Sequence, residues 1–177
     1  KLIYITNTRL PSEKANSFQS MQMCSSFSKL FDEVELWIGK AHNTRELSEI
    51  KDVFGYYNIE KNFFIRKFFQ FDSIILRYLN EFVWANLRDF VFSVNACLHL
   101  IRYRKSQEVL IYTRVWYFLY VFLLFKKIGL VDNKIFYEGH KFSKFLLKPL
   151  SKIDGLIVIN YYLYSVYKGN GLRKLFV

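Results

Sequence analysis

Cysteine is nearly missing from this chain, with two in 177 residues, Cys24 and Cys97. Their number and separation exclude a disulfide framework and any cysteine-based metal-ligand spacing. Both fall in helical patterns and read as buried thiols in a reducing compartment. Histidine is almost as scarce, with three residues, His42, His99 and His140. The seven glycines form neither a Walker motif nor a dinucleotide-binding pattern. A serine nucleophile elbow and a cluster of metal-ligating side chains are missing as well. Long hydrophobic runs are lacking too. The longest, Val115–Phe125, has 11 residues, against the roughly 20 of a membrane-spanning helix. The sequence carries no signal-peptide pattern, internal repeat, low-complexity tract or linker.

What the chain has in quantity is apolar and aromatic residues, 52% and 20% of the total, with 19 Phe and 13 Tyr. A chain this apolar is not disordered as a whole, and its length suits a single domain with a proper core. The net charge of +11 is concentrated. Residues 1–97 hold 12 Lys/Arg against 11 Asp/Glu, residues 98–152 hold 11 against 3, and residues 153–177 hold 3 against 1. A block of one sign marks an anionic partner or surface. Nucleic acid is a poor fit, since no helix-turn-helix, RNA-recognition or zinc signature is present. An anionic membrane surface fits better, because Arg102, Arg104 and Lys105 follow one apolar, aromatic helix and Lys126 and Lys127 follow another. The plain alternative is a solvated basic face.

Periodicity predicts a mostly parallel α/β fold. Leu2–Thr6 reads as a strand, followed by the polar loop Asn7–Ala15. A helix follows, capped by Asn16 with Gln19 in a capping box and presenting Met23, Cys24, Phe27, Leu30 and Phe31 to the core. Val34–Ile38 is the next strand, and a short helix is expected near Glu46–Phe54. Phe63–Ile65 reads as a short third strand. A long helix capped by Asp72 or Ser73 should reach Arg104, with a break near Asn86–Asp89. Thereafter strands at Glu108–Thr113, Lys134–Glu138, Gly155–Asn160 and Arg173–Val177 alternate with helices at Val115–Ile128, Phe142–Ser151 and Tyr161–Lys168. This alternation means a Rossmann-like, three-layer α/β/α domain with a mostly parallel sheet, spanning residues 1–177. The opening at Lys1 and the ending within a strand-like segment read as part of a larger protein.

In such a sheet, ligands bind beyond the carboxyl ends of the strands. Polar residues gather there: Asn7, Thr8, Arg9 and Ser12 through Asn16 and Ser17 after the first strand, Thr113-Arg114, Glu138-Gly139-His140, and Asn160. Arg9 and Arg114 have the fork that grips a phosphate or carboxylate, and the free N–H groups at Asn16-Ser17 favour an anion. His140 can offer one ring nitrogen to a sugar hydroxyl; the alternative is a structural histidine. Glu138 suits either a general base or a brace on backbone amides, and the brace is the expectation.

These same segments carry a resemblance. Tyr4-Ile5-Thr6-Asn7-Thr8-Arg9-Leu10-Pro11-Ser12-Glu13-Lys14-Ala15-Asn16-Ser17 is followed by a helix bearing Met, Gln and Cys. Then come Tyr56-Tyr57, Asn62-Phe63, Ile111-Tyr112-Thr113-Arg114, Tyr137-Glu138-Gly139-His140 and Asp154-Gly155-Leu156-Ile157-Val158-Ile159-Asn160. In this order the segments resemble the N-terminal domain of family 4 glycosyltransferases of the GT-B fold, over essentially the whole chain. Many relatives carry Gly-Gly in the first loop, and this chain has none there.

The resemblance implies a retaining transfer of a sugar from a nucleotide sugar to a cell-surface glycan or lipid-linked acceptor, with no metal and no further cofactor. It makes this the acceptor-binding half of the enzyme, inactive alone. The nucleotide-sugar domain would be supplied in cis or by a partner chain. It assigns His140 to the transferred sugar and the loop Asn7–Ser17 to the cleft near the donor phosphate and acceptor. The implied site is cytoplasmic, peripheral at the inner face of the membrane. The competing reading is a non-catalytic adaptor that holds a membrane through its basic, aromatic face.

Overall fold

The computed structural model describes residues 1–72, 78, 80–104, 106 and 108–177. Seven strands form one sheet: β1 (Leu2–Ile5), β2 (Val34–Gly39), β3 (Phe64–Phe68), β4 (Leu110–Thr113), β5 (Lys134–Gly139), β6 (Gly155–Val158) and β7 (Leu175–Phe176). Their order is β3-β2-β1-β4-β5-β6-β7, and every described pair is parallel. This is the Rossmann-like α/β architecture, with helices on both faces.

Alternation along β1 shows why both faces are covered. Ile3 and Ile5 enter one core cluster with Phe92, Cys97, Phe118 and Phe122, whereas Leu2 and Tyr4 enter the other with Met21 and Cys24. The first cluster lies beneath α4 (Glu81–Leu100) and α5 (Trp116–Lys127), the second beneath α1 (Ala15–Phe27). Short helices α2 (Arg45–Ser48), α3 (Val53–Tyr56) and α6 (Leu147–Leu150) and the longer α7 (Tyr161–Gly169) complete the layers. Both cysteines are free and buried, and burial pushes their thiols well above the ordinary range.

Several elements differ from their expected form, each for a physical reason. The first helix begins at Ala15 with Lys14 at its cap position and no side-chain cap. Asn16 and Gln19 instead receive hydrogen bonds from Arg114, at the Asn16 carbonyl and the Gln19 Oε1. Its buried face is Ser17, Ser20, Met21 and Cys24. Met23 and Phe27 are only partly buried, and Leu30 is 79% exposed beyond the helix end. The single helix near Glu46–Phe54 is two. Thr44 and Asp52 accept hydrogen bonds from Leu47 N and Gly55 N and start separate turns. β3 runs to Phe68, because Arg66 and Lys67 pair with Trp37 and Ile38 of β2.

The long helix is unbroken from Glu81 to Leu100 and is capped by Asn80, whose Oδ1 accepts from Val83 N. Asn86 does not interrupt it. Its amide donates to the Phe82 carbonyl and its Oδ1 accepts from the Tyr117 hydroxyl. The expected cap at Ser73, the helix start beside it and Lys105 lie outside the described residues. Gly129 ends α5 at φ 73°. Its N–H reaches the Lys126 carbonyl and Leu130 N reaches that of Phe125, a left-handed close that glycine adopts at little cost.

One buried charge cluster ties the sheet together. Glu35 on β2, fully buried, meets Lys1, the Arg66 Nε at 2.6 Å and the Trp37 Nε1–H at 2.6 Å. Burial alone would raise its carboxyl. The hydrogen bonds from Lys1 and Trp37 and the charges of Lys1 and Arg66 outweigh that and hold it below its ordinary value of 4.5. A depressed carboxylate stabilises the fold above that value and loses the contribution as pH falls below it. We expect Glu35→Ala to cost about 3 kcal/mol in urea denaturation, near the low end for breaking a buried pair, because Arg66 reaches solvent. The loss of stability on acidification below pH 4.5 should be smaller in Glu35→Gln than in the wild type.

Candidate functional site

All carboxyl ends lie along one edge of the sheet, because every described strand pair is parallel. Strand order reverses between β1 and β4, whose continuations open a crevice there. Thr113 Oγ1 donates to the Ile5 carbonyl at 2.9 Å and accepts from Val115 N at 3.1 Å, which locks the two strand ends together. Arg114 then reaches across. Its guanidinium donates to Thr6 Oγ1, Gln19 Oε1, the Asn16 carbonyl and Ser20 Oγ at 2.9–3.3 Å. This arginine clamps α1 to the end of β1, so its fork is engaged within the protein.

The loop after β1 is held from below. Thr8 Oγ1 and Ser17 Oγ are 2.8 Å apart, and Ser17 Oγ donates to the Arg9 carbonyl at 3.0 Å. Ser12 is buried, and its N–H and carbonyl both bond the Tyr57 hydroxyl at 2.7 Å. Lys67 Nζ donates to the Leu10 carbonyl at 3.0 Å. Burial, and then the charge of Lys40, lower its ammonium pKa. Asn7, Arg9, Asn16 and Ser17 border a polar cleft of about 340 Å³ that extends toward the ends of β2 and β3. His42, Gln70, Asp72, Lys14, Glu81 and Arg88 line its other sides.

The cleft walls are wired in pairs. Asn7 Nδ2 donates to Asp89 Oδ2 at 3.0 Å, and Arg88 donates from Nε and Nη2 to Asp89 Oδ1 at 3.0 and 2.9 Å. The Arg88 guanidinium lies over the Trp84 ring at 4.6 Å. Asp72 Oδ2 accepts from the His42 backbone N–H at 2.7 Å and lies 3.1 Å from its Nδ1. Arg9 extends Nη2 to 3.7 Å from Glu13, and its buried Nε has no hydrogen-bond partner among the described residues. Carboxylates that accept stand beside amides and cations that donate, the arrangement a polyhydroxylated ligand can satisfy.

Glu138 and His140 form a second group, at the end of β5. Residues two apart on a strand point the same way, and His140 Nε2 lies 2.8 Å from Glu138 Oε1. Glu138 therefore binds the imidazole where bracing of backbone amides was expected. Its Oε2 is buried with no hydrogen-bond partner among the described residues. Burial raises the Tyr112 and Tyr4 phenols, that of Tyr4 to about 12, and the Glu138 charge adds to both. A carboxylate can only accept, so Nε2 carries the proton in the neutral ring and Nδ1 is left as an acceptor. Asn160 serves elsewhere, with its Oδ1 accepting from Leu163 N at 2.9 Å to cap α7.

The predicted site residues thus separate into three kinds. Asn7, Arg9, Asn16 and Ser17 border the cleft. Thr8, Ser12, Arg114 and Asn160 build and hold loops. Glu138 and His140 stand as a pair apart. His42, Asp72 and Arg88 also line the cleft and lie outside the set expected from sequence. His42 was findable, since it follows β2 as Asn7 follows β1, and the strand-end rule applies equally to both.

Comparison with known proteins adds no family: no family model matches this sequence, and no characterised relative matches it. The fold class stands on the sheet topology alone. We expect imidazole nitrogen NMR to find His140 as the Nε2–H tautomer, and Glu138→Ala to shift it toward a mixture of both.

Proposed function

We propose that this chain is the acceptor-side domain of a retaining glycosyltransferase. It would transfer a sugar from a nucleotide sugar to a glycan or lipid-linked acceptor, without a metal. The observation that carries this reading is the placement of the polar cleft and the Glu138–His140 pair along one edge, flanking the β1–β4 reversal. An acceptor glycan occupies the cleft, its hydroxyls donating to Asp72 and accepting from Asn7, Arg9 and Arg88. The Nδ1 lone pair of His140, set by Glu138, accepts a hydroxyl of the transferred sugar. Catalysis requires a nucleotide-binding half, in cis or as a separate chain, because stabilising the departing nucleotide needs donors placed where its charge develops.

A second reading, a non-catalytic adaptor on an α/β scaffold, draws support from Arg114, Thr8, Ser12 and Asn160. Each spends its polar groups within the fold. The two readings differ at His140, which an adaptor does not use.

The test is transfer from a panel of nucleotide sugars by this domain together with its nucleotide-binding half. Turnover that falls about 100-fold in His140→Ala, the scale for losing one positioned polar group, with thermal stability unchanged, is the expected result. Turnover unaffected by that change would remove His140 from the site. No turnover with any donor would favour the adaptor.

A further inference from the structure

Beyond the ends of β2 and β3 a second pocket, of about 450 Å³, opens beside the polar cleft. Ala41, His42, Gln70 and Asp72 border both, so the two are continuous. Gln70 stands at their junction, and the fold is built to seat it. Gly39, bare of a side chain at the end of β2, makes the room: a Cβ there would lie 1.9 Å from Gln70 Oε1. Only 7% of Gln70 is exposed, yet its side-chain amide meets no hydrogen-bond partner among the described residues. A buried polar group in that state calls for an explanation, because leaving it unpaired costs about 1–3 kcal/mol. Phe69 and Phe71 border the second pocket alone, and they are 64% and 38% exposed. Their stretch of chain is fixed to α4, where Asn95 Nδ2 donates to the Phe69 carbonyl at 3.3 Å. Lys40 and Asp72 both line the pocket, so charge of neither sign prevails there.

We propose that this pocket is a second sugar subsite, so that the ligand of the chain is an oligosaccharide of two or more units. One unit lies in the polar cleft, and the next packs its C–H face on the Phe69 and Phe71 rings. The Gln70 amide bonds hydroxyls where the two units join. The proposal rests on the carbohydrate reading of the cleft and extends it from a single sugar to a chain of them. A pyranose presents an apolar face of C–H groups edged by hydroxyls. Aromatic rings beside one placed amide match both parts. Hydroxyls both donate and accept, as the two ends of an amide require. A purely apolar ligand would leave Gln70 unpaired. An anion would meet the Asp72 carboxylate and could not satisfy the Gln70 carbonyl, which only accepts.

Isothermal titration of the chain with glucose, galactose, mannose and N-acetylglucosamine, each as the free sugar and as its linear homotrisaccharide, tests it. For a sugar that binds, the trisaccharide should bind about 10-fold tighter than the monosaccharide, the scale of a ring contact and an amide hydrogen bond. Phe69→Ser/Phe71→Ser, at exposed positions, should bring the trisaccharide to the affinity of the monosaccharide, with the circular dichroism spectrum unchanged. Gln70→Leu keeps the bulk over Gly39 and removes the amide. It should weaken the trisaccharide about 10-fold without lowering the thermal midpoint of the free chain, whereas loss of a purely structural residue would do the reverse. A trisaccharide no tighter than its monosaccharide, or an advantage that survives these variants, would overturn the subsite and leave the reading of the cleft in place. No binding of any of these sugars would remove the carbohydrate reading itself, and the subsite with it.

Discussion

Parallel pairing of β1 with β4, in the register Leu2↔Leu110 to Ile5↔Thr113, is the constraint on which the rest of the structure depends. It joins β2 and β3 on one side to β5, β6 and β7 on the other. It also sets the place where successive loops diverge and leave a crevice. The loop after β1 is positioned from that seam. The Thr113 hydroxyl ties the two strand ends, and the Arg114 guanidinium extends the tie to α1. The loop from Asn7 to Lys14 is held between that clamp and the Ser12–Tyr57 contact.

Polar residues at the strand ends do two kinds of work, and burial separates them. Thr8 and Ser12 are buried with partners inside the protein, Ser17 on α1 and the Tyr57 hydroxyl. A buried polar group must be matched internally, because leaving it unpaired costs about 1–3 kcal/mol. Asn7 and Arg88 face open space and keep donors to spare after pairing with Asp89. The cleft therefore combines a rigid floor with a polar wall of both signs. Glu138 is the intermediate case, a buried carboxylate that spends one oxygen on an exposed histidine.

The sheet was legible in the sequence because its strands are short apolar runs bounded by polar or glycine-containing turns, as at Leu2–Ile5 and Gly155–Val158. The two-residue spacing of Glu138 and His140 was legible too, although its consequence, a carboxylate–imidazole pair, depends on both side chains leaving the strand on one side. Other features depend on distant contacts. The cap of α1 differs from the expectation because Arg114, more than 90 residues away, takes the Gln19 Oε1 that a capping box would turn back onto the helix start. The continuity of α4 through Asn86 depends on a hydroxyl from Tyr117. The excess of lysine in residues 98–152 is visible as composition, whereas the groove those lysines surround exists only once the Lys144–Leu150 segment packs on α5.

The central claim is that the carboxyl edge of this sheet holds a carbohydrate. Amide chemical-shift mapping of the chain against a panel of oligosaccharides tests it most directly. The account predicts that a bound glycan shifts Asn7, His42, Asp72 and Arg88 together and leaves the α5–α6 groove unmoved. Shifts scattered over the surface, or none with any glycan, would contradict it.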